Sequence, residues 1–248
     1  MSEMIKFEGR VQQIEVYQDV LNSLGSSGDT QITSSAILSA ATGSVSLGAQ
    51  SVFMASQSRL HIQSVVMEVD GKICVGKFHR VLLEKNEYVI CIARQIEQNV
   101  YELYSVLSPK TGLLHMQVGM GASIKTYRDT IRKGMKWAFI LLLAITFIVF
   151  VIIGNDYSLQ TLLVLGAVSF IIYFVLLFIG KRQIESELHN CENSEKVFSL
   201  YKFSEPEDIY LLRARHEDQK AKLILESVYD YRKVSVNDPY PESYLEDK

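Results

Sequence analysis

Cysteine is scarce in this 248-residue chain: Cys74, Cys91 and Cys191 are the only three, and none has CxxC spacing. An odd, dispersed set excludes a disulfide framework and a cysteine-rich zinc site. Cys74 and Cys91 stand among β-type apolar residues, where a free thiol packs as a small hydrophobe. Four prolines and fourteen glycines exclude a collagen-like or Pro-rich chain. Neither charge sign dominates: 25 basic against 28 acidic residues leave −3, so there is no electrostatic case for a nucleic-acid partner. Lys77, His79 and Arg80 make only a weak cluster, read as solvated edge charges.

Catalytic signatures are missing as well. His61, His79, His115, His189 and His216 show no HExxH or HxH spacing, and GxSxG, Walker A and GxGxxG are absent. Gly119-Met-Gly-Ala-Ser123 is a glycine turn without the Lys-Ser/Thr of a phosphate loop. The sequence therefore supports no catalytic residue, no metal ligand and no cofactor, and the chain is read as a non-enzyme. The start lacks the apolar run of a secretory signal, so none is expected.

What the chain does have is concentrated apolarity, which lifts mean hydropathy to +0.11 despite 21% charged residues. Trp137 to Ile153 is seventeen residues without a charge, and Thr161 to Gly180 is twenty. As helices they would reach roughly 25 and 30 Å, one short span and one ordinary one. Neither shows the polar face of a soluble core helix. Two transmembrane helices, 137–153 and 161–180, are expected to form a hairpin, because Gly154–Gln160 suffices only for a tight reversal.

Lys125, Arg128, Arg132, Lys133 and Lys136 precede the first span and Lys181 and Arg182 follow the second, while the connection carries only Asp156. The positive-inside rule then puts both termini in the cytoplasm. Lys133, Lys136, Lys181 and Arg182 set this topology, and Trp137 is the interfacial anchor. No ionisable residue lies inside either span, so ion coupling has no chemistry to use and anchoring is the expected role. Gly166, Ala167 and Ser169 form a small-residue patch, the candidate for helix packing and homo-oligomerisation, although no GxxxG is present.

Residues 1–120 alternate like short strands. Phe7–Val16 reads as a first strand, and Val65–Val75 as a hairpin turning at Asp70-Gly71. Glu87–Arg94 and Val100–Leu107 read as two more strands joined across Gln95–Asn99, with Pro109 ending the second. Such spacing suggests a small barrel or sandwich, OB-like or SH3-like. Within it, 23–58 is rich in Ser, Gly, Ala and Thr. Three readings stand: a mobile loop, a small-residue helix, or a conditionally membrane-inserting segment.

Residues 121–136 form a basic juxtamembrane segment. In 181–248 the chain turns acidic, with fifteen Asp or Glu against nine Lys or Arg from Gln183. Ser194–Lys202 reads as a short helix. Ser204-Glu-Pro-Glu207 reads as a capping box opening a helix to about Glu226, with Ile209, Leu212, Leu223 and Leu225 buried. Residues from Asn237 onward are read as frayed. The expected class is an α+β membrane protein: a small N-terminal β-barrel or sandwich-like domain, a two-helix transmembrane hairpin and a C-terminal helical tail.

Two stretches carry a resemblance. Lys85-Asn-Glu-Tyr-Val-Ile-Cys-Ile-Ala-Arg94 leads to Tyr101-Glu-Leu-Tyr-Ser-Val-Leu-Ser-Pro109. Ser194-Glu-Lys-Val-Phe-Ser-Leu-Tyr-Lys-Phe-Ser-Glu-Pro-Glu-Asp-Ile-Tyr210 follows the second span. Over roughly residues 5–212 the chain resembles a family of bacterial two-pass membrane proteins described as type VI secretion system effectors. That family usually has an aromatic soon after the hairpin turn, where this chain has Ile73, Cys74 and Phe78. The resemblance implies an inner-membrane protein acting at a recipient cell's membrane, with a secretion-machinery or immunity protein as partner. It transfers no catalytic residue. The alternative reading is a resident membrane-anchored scaffold or immunity-like binding protein.

Overall fold

The computed structural model describes residues 3–21, 60–153, 159–218, 223–234 and 237–246. The segment 23–58 and the connection at 154–158 lie outside the described residues, so the readings made of them are not addressed. Five strands open the chain: β1 Met4–Leu21, β2 Leu60–Val69, β3 Lys72–Phe78, β4 Tyr88–Glu97 and β5 Val100–Ser108.

β1 serves two neighbours. Its first half pairs with β4 and its second half with β2, and the register shifts between Val11 and Gln13 where the strand bends. Parallel pairing of Ile73–Val75 with Val100–Glu102 closes the ring. The result is a closed five-stranded barrel of order β1-β2-β3-β5-β4, the barrel and not the sandwich alternative. Asp70 and Gly71 both take positive φ, 46° and 76°, as a type I′ turn requires.

The sheet does not stop at the barrel. β6 Leu113–Met116 pairs with β5, β8 Leu223–Asp230 pairs with β6, and β7 Arg215–Asp218 lies at the outer edge. The expected C-terminal helical tail is therefore corrected. Between Ser204 and Glu226 the chain holds two strands and two 3-10 turns, Pro206–Asp208 and Leu211–Arg213, and no α-helix among the described residues. The capping-box reading fails because Glu205 sits in the left-handed region at φ 52°. Backbone groups beyond the turn are already engaged: Leu211 N–H donates to Gly121 O at 2.8 Å and Ser123 N–H to Ile209 O at 3.0 Å. In β8, Leu225, Ser227, Val228 and Tyr229 are buried while Ile224 and Glu226 are exposed, and the segment pairs with β6 on one side and β7 on the other, which marks a strand.

Two long helices connect the barrel to this return: α1 Ile124–Ile153 and α2 Leu159–Leu200. The short helix expected at Ser194–Lys202 is the end of α2, continuous with its apolar run. α2 stops in a Schellman cap, with Lys202 at φ 58° and Phe203 N–H donating to Phe198 O at 3.1 Å. The Phe198 and Phe203 rings pack 6.2 Å apart, the hydrophobic contact that accompanies this cap.

Two cores share strand β4, which explains why its apolar run is nearly continuous. Val89, Cys91 and Ala93 face the barrel interior with Val65, Met67, Leu103 and Val106. Ile90 and Ile92 face outward, where Tyr201, Phe198, Tyr229, Tyr231 and Tyr240 cover them. Residues 237–246 are not frayed. Tyr240 is buried, and Tyr244 Oη donates to Glu8 on β1 at 2.7 Å, as does Tyr88 Oη.

Candidate membrane interface

α1 and α2 rise side by side from this domain and run antiparallel. Phe139 packs on Tyr173 with ring centroids 4.4 Å apart, and Thr146 and Ser169 share a hydrogen bond at 2.9 Å. Met135 lies against Gly180 so closely that a Cβ there would collide with its sulfur. Ser169, Tyr173 and Gly180 recur at i, i+4 and i+11, a single helix face.

Of the predicted packing patch, only Ser169 is buried in this contact. Gly166 and Ala167 are exposed, and nothing lies within 4 Å of a Cβ at Gly166. The residue that admits close approach is Gly180, which the sequence reading treated as the end of a span. Its helical spacing from Ser169 is the signal that would have found it.

Among the described residues, twenty-one large hydrophobics are exposed, and seventeen of them lie on α1 and α2 between Trp137 and Ile179. At half exposure each forgoes about 1 kcal/mol in water, so the set forgoes roughly 15–20 kcal/mol. That exceeds the roughly 5–15 kcal/mol net stability of an ordinary domain.

Within α2, Gly166–Leu200 is long and apolar enough to cross a membrane, with a mean hydropathy of 1.7 in its most apolar window and 11% of that window buried. It is the one such stretch among the described residues, where the sequence led us to expect two.

The feet of both helices are tied to the same domain. Glu195 on α2 accepts the Ile124 N–H at the start of α1 at 2.8 Å, and Gly121 N–H donates to Ser194 Oγ at 3.1 Å. Tyr229 Oη on β8 donates to Met120 O at 2.8 Å. Lys125 pairs with Asp208 at 2.6 Å, which raises the lysine's pKa. The helices thus leave and rejoin one folded unit.

Between domain and apolar run, α1 carries Lys125, Arg128, Arg132 and Lys136 at i, i+3, i+7 and i+11. With Asp129, Glu195 and Glu207, three of these cations line a groove of about 290 Å³. Lys133, Lys136, Lys181 and Arg182 are exposed, and Trp137, at 71% exposure, follows them directly. Because Met135 packs on Gly180, the charges of both helices gather at one level. Arg182 also lies over the Phe178 ring at 5.5 Å.

No group of three or more His, Cys, Asp or Glu is placed to hold a metal ion among the described residues. His115 is fully buried; its Nε2 accepts the Leu82 N–H at 3.1 Å while Nδ1 finds no partner in hydrogen-bond geometry. Burial pulls its pKa down to about 4, with a smaller push from His216 against the Val106 carbonyl. The Cys74 thiol is pushed up to about 12 by burial, which leaves it unreactive. No family model, curated protein or solved structure matches this chain.

Proposed function

We propose that this chain is a two-pass bacterial inner-membrane protein whose α1–α2 pair anchors a β-barrel domain at the cytoplasmic face. One observation carries the reading: a bare apolar helix pair with both feet bonded into a single domain. A unit that holds both feet cannot sit on two sides of a bilayer, so if α2 crosses, α1 must cross back. The seventeen-residue run of α1 reaches roughly 25 Å and spans with help from local thinning and from Lys136 and Trp137 at its edge. The bond between Thr146 and Ser169 satisfies both hydroxyls inside the apolar layer.

The activity we propose is that of a type VI secretion effector acting at a recipient cell's inner membrane. The likeness of residues 85–109 and 194–210 to that family supports it. Inducible expression with a potential-sensitive dye tests it: growth arrest with loss of potential is expected. Normal growth and potential at high expression, with or without an export signal, would overturn it.

A specific observation favours a second reading, a resident scaffold or immunity-like binding protein. The barrel, the sheet extension and the C-terminal residues are closed by buried tyrosines into one compact body, a form that suits holding a partner. Crosslinking would then recover a stoichiometric partner, and removing α1 and α2 would mislocalise the protein rather than relieve toxicity.

A further inference from the structure

We propose that the basic edge of the stalk is a binding site for the phosphate headgroups of anionic phospholipids, formed by Arg128, Arg132 and Lys136 with Lys181 and Arg182 beside them. The proposal rests on the membrane reading above and names the lipid class that reading leaves open. At 100° per residue, Arg128, Arg132 and Lys136 fall within roughly 80° of one side of α1. The contact of Met135 with Gly180 brings Lys181 and Arg182 to the height of Lys136.

Heights along the helix fit a headgroup layer. A bilayer's polar zone adds roughly 5–8 Å to each side of its hydrocarbon core. Lys136, Lys181 and Arg182 flank the apolar runs directly. Arg132 stands about 6 Å further up and Arg128 about 12 Å, by the helical rise. The first lies within side-chain reach of a phosphate; the second stands beyond the Debye length, about 10 Å at 0.1 M salt, and contributes only by extending its side chain down toward the layer.

Competing carboxylates are few at this end and concentrated at the other. Asp129 lies 3.9 Å from Arg132 and Glu185 3.9 Å from Lys181, both long, exposed pairs worth little. Arg128, Lys133 and Lys136 have no carboxylate partner among the described residues. At the upper end of the groove, Lys125 is held by Asp208, while Glu195 and Glu207 line the wall and repel anions. Attraction is therefore confined to the membrane-near end, where a lipid phosphate would lie. The same donors would accept a free phosphate, so the test separates the two sources.

Trp137 is the sole tryptophan of the chain and adjoins Lys136, so it reports on the lipids at this site. The full chain in nanodiscs of a zwitterionic host is titrated with brominated phosphatidylglycerol or brominated phosphatidylcholine, and quenching of Trp137 is read. The expected result is a roughly fivefold preference for the anionic lipid. It should fall toward one in R128Q/R132Q/K136Q, in K181Q/R182Q to a lesser degree, and in 1 M salt. Equal quenching by the two lipids overturns the proposal and leaves the anchor standing. Quenching by neither overturns the membrane reading itself. Loss of the preference with millimolar inorganic phosphate at constant ionic strength would assign the site to a soluble phosphate and overturn the lipid assignment.

Discussion

Tyr201→Phe is the sharpest probe of the joint between barrel and helices. Tyr201 lies at the end of α2 with no exposed surface, and its hydroxyl donates to Ile90 O on β4 at 3.1 Å. Ser105 Oγ on β5, also fully buried, bonds the same hydroxyl at 3.0 Å. Removing the oxygen forgoes about 1 kcal/mol for the bond and strands Ser105 in an apolar site, which costs about 1–2 kcal/mol more. Y201F should therefore lose about 2–3 kcal/mol, while S105A alone loses only about 1 kcal/mol because Ile90 still accepts. In the double variant no hydroxyl is stranded, so the losses should fall short of additive by about 1 kcal/mol. At roughly 2–4 °C per kcal/mol for a chain of this size, Y201F should melt about 4–12 °C lower in detergent or nanodiscs. Strictly additive losses, or a Y201F melting point unchanged from the parent, would refute the claim that this hydroxyl ties α2 to the barrel.

Acid should weaken the domain through His115. Its folded pKa of about 4 lies below the ordinary 6.5, so the unfolded chain binds a proton that the folded one refuses. Stability is then full above pH 6.5 and falls toward pH 4, by about 3 kcal/mol in all; H115Q, which keeps an acceptor for Leu82, should flatten the melting-point loss between pH 7.5 and 5, and an unaltered slope would count against it. Gly121 has φ 129°, and a Cβ there would stand 2.6 Å from Tyr229 Oη, so G121A should cost about 2–4 kcal/mol; a wild-type melting curve would contradict the stated geometry. S169A should cost only about 0.6 kcal/mol, since intramembrane hydrogen bonds are modest; a loss above about 2 kcal/mol in nanodisc unfolding would show that the bond to Thr146 does more than satisfy two hydroxyls.

The barrel was legible because its signals are local. Asp70-Gly71 reports its own turn, Pro109 stops β5, and runs of β-branched residues mark β2 to β5. The return of the chain was not legible, because it depends on partners far along the sequence. Ser204-Glu-Pro-Glu207 has the local chemistry of a helix start, yet Gly121 and Ser123 take the backbone groups such a helix would need. Leu113–Met116 was missed as a strand because four residues carry almost no periodicity, and only pairing on both sides, with β5 and β8, defines it. Tail tyrosines read as frayed, because nothing local announces that Tyr240 and Tyr244 cover β1.

At the interface, composition revealed the apolar runs and their basic flanks, since both are contiguous in sequence. Register between the helices was hidden: whether Gly166 or Gly180 faces α1 depends on rotation about α2. Three-dimensional contact with Met135 decides for Gly180.

Topology can be read directly by placing single cysteines in a background with Cys74, Cys91 and Cys191 replaced by alanine. In intact spheroplasts, N155C, between the two helices, should react with a membrane-impermeant maleimide, whereas E3C and S243C should react only after permeabilisation. Labelling of E3C and S243C in unpermeabilised spheroplasts, or protection of all three sites until the membrane is dissolved, would contradict an anchor that crosses twice and returns to one domain.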